Sequence, residues 1–124
     1  MADDKLQIDI SNGSHPGEKV VVLRGLLNSE TAFPFRDVVR QHEPANLVID
    51  MSQVRSVDSS GLGVLIGIYV SLERTSRRLL LAGLNDRIWD LFRTCRIEGV
   101  FTRYLTVADA EQAVPMPTES VAPG

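Results

Sequence analysis

Leu6-Gln-Ile-Asp-Ile10 alternates apolar with polar residues, the period of a strand with one buried face, and the cluster Ser11-Asn-Gly-Ser-His-Pro-Gly17 interrupts it. Lys19-Val-Val-Val-Leu-Arg24 then supplies β-branched residues and stops at Gly25, so the two runs predict an antiparallel hairpin. From Ser29 to Gln41 the apolar positions Ala32, Phe33, Phe35, Val38 and Val39 predict a helix, with Pro34 in or before its first turn, where a missing N–H breaks no helical bond. Asn46-Leu-Val-Ile-Asp50 has the length and apolarity of a central strand. Leu62 to Leu72 predicts a second helix whose core face gathers Leu62, Leu65, Ile66, Tyr69 and Leu72. Arg78-Leu-Leu-Leu-Ala82 is another short strand, closed by Gly83. Asn85 then caps a third helix with Asp86 in its first turn and Ile88, Leu91, Phe92 and Cys95 turned inward. Thr102 to Thr106 predicts an edge strand and Val107 to Val114 a last short helix. Pro115, Pro117 and Pro123 mark residues 115–124 as a flexible C-terminal tail.

Strands that alternate with helices after an opening hairpin imply an α/β fold, a mixed β-sheet of four to five strands with helices packed mainly on one face. A chain of 124 residues holds one such domain, here 1–114. A net charge of −3 offers no general attraction to phosphate backbones or anionic lipid, so neither nucleic acid nor direct membrane binding is expected. The longest uncharged run, Ser59 to Leu72, falls short of the roughly 20 apolar residues that span a bilayer, and the acidic start Met1-Ala-Asp-Asp-Lys5 has no signal-peptide core. A cytoplasmic location is the expectation. The single cysteine, Cys95, fits a reducing compartment, and with two histidines it makes no metal-ligand spacing, so no metal or other cofactor is expected.

The candidate chemistry lies in Val57-Asp-Ser-Ser-Gly-Leu-Gly63, between a predicted strand and a predicted helix. Helix-start N–H groups lack internal partners and the macrodipole adds about half a positive charge, so a phosphate on Ser59 would meet those donors. Ser59 reads either as a helix cap or as a phosphate acceptor, Asp58 either as a capping carboxylate or as the group that orients the Ser59 hydroxyl, and Ser60 as a first-turn residue. No lysine completes a Walker motif, and Asp58-Ser-Ser-Gly61 is not a Gly-x-Ser-x-Gly elbow.

Leu47-Val-Ile-Asp50, Val54 and Val57-Asp-Ser-Ser-Gly-Leu-Gly-Val-Leu65 together resemble the signature of STAS domains, in particular of bacterial anti-sigma factor antagonists. The similarity continues through Arg78-Leu-Leu-Leu-Ala-Gly83, the Ile88/Leu91/Phe92 helix and Ala108-Asp-Ala-Glu-Gln-Ala113. The resemblance implies a substrate and ligand rather than an enzyme. In it an anti-sigma factor that is also a serine kinase phosphorylates Ser59, with Asp58, Ser60 and Gly61 supporting the site. The unphosphorylated form holds the kinase and frees a sigma factor, and a serine phosphatase resets the cycle. Asn28 stands where related antagonists carry an acid, which removes one negative charge near the phosphosite and makes Asn28 a candidate partner contact; Ser56 stands where a bulkier apolar residue is frequent. A second implication of the family is a subunit bracing the ATPase of an ABC-type lipid transporter, with Ser59 a fixed contact. A small serine hydrolase is disfavoured because no histidine and acid fall into a recognisable arrangement.

A helical wheel sets Gly63, Gly67 and Ser71 in one stripe at i, i+4 and i+8, rimmed by Val64, Ile68 and Arg74. These residues form either a docking surface beside Ser59 or an internal helix-packing face, and the pattern leaves both open. His15, in a turn, and His42, near a helix end, read as solvated imidazoles. Trp89 reads as a half-buried packing residue or a partner contact, and Arg74, Arg77 and Arg78 as solvated helix-end charge or as a patch that meets an acidic partner.

Overall fold

A computed structural model describes residues 6–42 and 44–114. The opening hairpin pairs β1 (Gln7–Asn12) antiparallel with β2 (Glu18–Leu27). Next come α1 (Ala32–His42), β3 (Asn46–Val57), α2 (Ser59–Glu73), β4 (Arg78–Ala82), α3 (Asp86–Thr94), β5 (Arg103–Tyr104) and α4 (Val107–Gln112). The five strands lie in chain order, and every pair after the hairpin is parallel. Parallel neighbours need a crossover, and α1, α2 and α3 supply the three required.

Those three helices cover one face of the sheet. Phe35, Leu65 and Phe92 are fully buried there against Leu23, Ile49 and Leu81. Among the described residues the opposite face is closed by α4 alone, where Ala110 and the following Val114 pack on Val20, Val48, Leu80 and Ala82. β3 and β4 are therefore covered on both sides, which explains the unbroken apolar runs that marked them. The tail at 115–124 lies outside the described residues.

Four expectations are corrected. β2 does not stop at Gly25 but runs through it to Leu27, because Gly25 takes a φ of 122° between two register shifts against β3, a backbone that only glycine adopts without strain. β3 continues past Asp50 to Val57. β4 ends opposite Asp50, so among the described residues the outer half of β3 pairs only with β2, and its Ser52, Gln53, Arg55 and Ser56 face solvent. That polar stretch concealed the strand. Cys95 is exposed rather than inward because α3 ends at Thr94 and Cys95 is its C-cap. The last strand shrinks to Arg103–Tyr104. Trp89 is half-buried as expected, 5.5 Å from Phe92 and with the Arg103 guanidinium 5.4 Å from its ring.

His15 is the fifth correction. Its Nδ1 lies 2.7 Å from Oε1 of Glu18, which is completely buried, and the Ser14 N–H donates to Oε2 of Glu111 at 2.9 Å. Through Ser14 and His15 the hairpin turn brings Glu18 and Glu111 close to each other, and Glu18 Oε2 is buried with no hydrogen-bond partner among the described residues. Burial, then the facing Glu111, raises Glu18 above the ordinary carboxylate range, while hydrogen bonds from Glu18 and Ser14 lower Glu111. Of the two carboxyls Glu18 is thus the one whose protonated form the fold favours, with the His15 contact opposing the shift. Because its folded-state pKa is raised, its contribution is fully present below the unfolded value of about 4.5 and is lost as pH rises through the folded value. Glu111 contributes oppositely, gaining above its unfolded value. Glu18→Gln keeps the shape and supplies a permanent donor toward Glu111. Its melting temperature is expected to exceed wild type by about 4 °C at pH 8, roughly 1 kcal/mol for a domain of this size, with the margin shrinking toward pH 5. A melting series across that range checks it, and a margin that is flat or widens toward acid refutes the raised Glu18 carboxyl.

Candidate functional site

The C-terminal end of β3 delivers Asp58 in an extended conformation, φ −102° and ψ −173°, as the N-cap of α2. Its Oδ1 accepts from the N–H groups of Ser60 at 2.9 Å and Gly61 at 3.0 Å, and its carbonyl accepts the first helical bond from Leu62. Asp58 thus takes the capping role, and Ser59 does not. Ser59 is the first residue of the helix, exposed, and no hydrogen bond fixes its hydroxyl among the described residues. This also corrects the expected phosphate cradle. Asp58 already occupies two helix-start donors, which leaves the Ser59 N–H as the remaining one among the described residues.

Neighbouring backbone fixes this turn tightly. The Asp58 N–H donates to the Leu27 carbonyl at 3.1 Å, tying the ends of β2 and β3 together. Gly61 faces that same carbonyl, and a Cβ there would stand 2.4 Å from the oxygen. Asn28 follows directly. Its Oδ1 accepts from Glu30 at 2.9 Å and Thr31 at 3.2 Å, and its carbonyl accepts from Thr31 and Ala32. Asn28 therefore shapes the turn into α1 beside Asp58 and needs no charge to do so.

The stripe of Gly63, Gly67 and Ser71 is exposed, and a Cβ on either glycine would meet nothing within 4 Å. The internal-packing reading is thereby excluded for the described residues. Val64 and Ile68, expected at the rim, are instead buried at 5% exposure each and floor a groove of about 510 Å³ between α1 and α2. Arg74 is the exposed C-cap of α2 and does not line the groove. The charged wall comes from Arg36 and Arg40 of α1 and from Arg77, whose Nη1 donates to the Pro44 carbonyl at 2.8 Å. Arg77 is thus an anchored residue rather than solvated helix-end charge. The α1 arginines escaped the sequence reading because their helix meets α2 only in three dimensions. Ser60, half-buried, opens the groove at the Ser59 end.

Neither histidine can serve Ser59. His15 sits beside Glu18, which pairs with Asn46 at the start of β3, and His42 ends α1 just before that strand, whereas Ser59 follows its far end. Eleven residue steps of strand separate the two ends by about 35 Å.

Residues 9–110 match the STAS domain family. The chain belongs to that family. It is 41% identical over 64 residues to the anti-sigma-B factor antagonist of Listeria monocytogenes, covering 52% of this chain and 56% of that protein. It is 32% identical over 54 residues to the one from Staphylococcus aureus, covering 44% and 50%. The chain spans about half the length of these curated relatives in the matched regions. An anti-sigma factor antagonist from Mycobacterium paratuberculosis superposes with a TM-score of 0.78 at 25% identity over 91% of this STAS chain and 97% of that one. The phosphorylated form of the Bacillus cell fate determinant SpoIIAA gives 0.68 at 17%, covering 86% and 98%, a likeness of fold. No helix among the described residues is long and apolar enough to cross a membrane.

Proposed function

We propose that this STAS domain, running through Val114, is an anti-sigma factor antagonist switched by phosphorylation of Ser59. Unmodified, it sequesters an anti-sigma factor serine kinase in the cytosol and frees a sigma factor; phosphorylated, it lets the kinase go until a serine phosphatase restores the hydroxyl. One observation carries this reading: Ser59 stands exposed, its hydroxyl free of hydrogen bonds among the described residues, at the tip of a turn fixed by the Asp58 cap and by the Asp58–Leu27 hydrogen bond. An acceptor hydroxyl must enter a kinase active site, which demands access, while a binding surface demands a fixed shape. Asp58 supports the site as cap, Gly61 lets the helix start approach β2, and Ser60 leads into the groove. Asn28, Gly63, Val64, Gly67, Ile68 and Ser71 form the contact face, with Arg74 at its margin. The curated relatives' name supports the antagonist role over a transporter subunit.

The test is a paired capture from native cytosol with Ser59→Ala and Ser59→Asp baits, with mass spectrometry of the retained proteins and of Ser59 in native material. The expected result is a histidine-kinase-like ATPase held by the first bait and lost by the second. Equal retention on both baits overturns the switch. Asn28→Asp should keep the turn's acceptor, shift the melting temperature by less than about 2 °C, and widen the affinity contrast between Ser59 and Ser59→Asp backgrounds about threefold. Titration calorimetry with the captured ATPase reads this, since the added carboxylate lies beside the modified residue.

A further inference from the structure

The groove between α1 and α2 has a chemistry that the switch does not itself require. Because β2, β3 and β4 are parallel, the two helices that cross between them run the same way, and the groove follows them from Ser60 to Arg77. Gly63, Gly67 and Ser71 repeat at one-turn intervals along one wall, about 6 Å apart, and Arg36 and Arg40 repeat at the same interval along the other. No acidic side chain among the described residues lines it. Among the described residues Arg36 pairs with Asp37 on its own helix at 3.3 Å, and its Nε is buried without a partner. Arg77 is braced by Pro44 and by the Thr75 hydroxyl at 2.7 Å, so it is presented in a fixed place.

We propose that this groove receives an acidic amphipathic helix of a protein partner. The helix lies along α2 with small or apolar residues on the glycine stripe and carboxylates one turn apart against Arg36 and Arg40. Cations spread along the whole groove suit an elongated polyanion; a fatty acid brings a single carboxylate to one end. An extended peptide laid on two helices leaves its own N–H and C=O groups unpaired, whereas a helix satisfies them internally. Small residues on the stripe admit its backbone at close range, and the apolar floor of Val64 and Ile68 takes its apolar face. The inference rests on the reading of the chain as a partner-binding switch, and it adds which part of the partner docks and with what charge.

The experiment selects from a displayed library of 18-residue helical peptides on the whole chain, and then measures each winner on Gly67→Gln. That substitution fills open space, and as a helix-interior replacement of glycine it should not lower the melting temperature. The expected winners lose at least tenfold affinity on Gly67→Gln, carry Asp or Glu pairs at i, i+4, and lose at least tenfold again on Arg36→Gln/Arg40→Gln. Winners that ignore Gly67→Gln, or are neutral or basic, overturn the proposal. So does displacement by laurate with no acidic peptide selected, which assigns the groove to a small amphiphile, or a self-associating chain whose dimer Gly67→Gln abolishes. If the kinase is captured in a Ser59-dependent way while groove variants bind it normally, the switch stands and this inference fails. If acidic peptides dock as described while the Ser59 baits behave alike, the groove stands without the switch.

Discussion

Stoichiometric phosphorylation of Ser59 is expected to weaken binding of the captured ATPase at least a hundredfold while moving the melting temperature by no more than about 3 °C. Within the domain two effects oppose. The start of α2 favours a negative group by about 0.3–1 kcal/mol, but the donors of Ser60 and Gly61 are already taken by Asp58. The new phosphate, carrying about −1.5 to −2, meets the Asp58 carboxylate one residue away; in solvent at such a site the repulsion is on the order of 1 kcal/mol. These nearly cancel, so the fold persists. In a complex the balance differs, because the phosphate leaves water with its best local donors occupied. An uncompensated buried charge costs several kcal/mol, and a hundredfold loss needs only about 2.7 kcal/mol. Calorimetry and melting on enzymatically phosphorylated protein check both halves together. A large fall in stability would mean that the switch acts by unfolding the helix start, and unchanged affinity would remove Ser59 from the interface.

The hairpin, β4 and α3 were legible because each obeys a local rule. The alternation of Leu6 to Ile10, the apolar run closed by Gly83, and the Asn85 cap accepting from Ile88 at 2.8 Å need no distant partner to be read. The outer half of β3 was not legible, since the loss of β4 as a neighbour beyond Asp50 is a fact of the sheet and not of the segment. The start of α2 at Ser59 was legible, and of the two cap candidates, Asp58 and Ser59, the fold uses Asp58. Either residue type caps a helix, and the choice depends on where β3 releases the chain. Glu18 illustrates the hardest case. A charged residue flanking a strand ordinarily meets solvent, and its burial depends on Glu111 arriving with α4 from the other end of the chain. The groove follows the same logic. Its glycine wall repeats along one helix and was visible on a wheel, whereas its arginine wall needed α1 to be set alongside.

Gly61→Ala should be the most damaging single-methyl change in the site, lowering stability by about 2–4 kcal/mol and the melting temperature by roughly 8–15 °C. The added Cβ would stand 2.4 Å from the Leu27 carbonyl oxygen and 2.9 Å from its Cγ. Moving the side chain does not relieve this, because the nearest atom is backbone and that carbonyl already accepts from Asp58 at 3.1 Å. Either α2 shifts outward, loosening buried Leu62 and Leu65, or the hydrogen bond joining β2 and β3 breaks and leaves polar groups unpaired. Alanine's better helix propensity returns only about 1 kcal/mol. Gly63→Ala is the matched control: it adds the same methyl two residues on, into open space, and should stabilise slightly. Chemical denaturation of the two variants side by side separates close packing from propensity. Comparable stability in both would mean that the β2–α2 contact yields easily and that the Ser59 turn is not rigidly held. The binding surface would then lack the fixed shape on which the proposed switch depends.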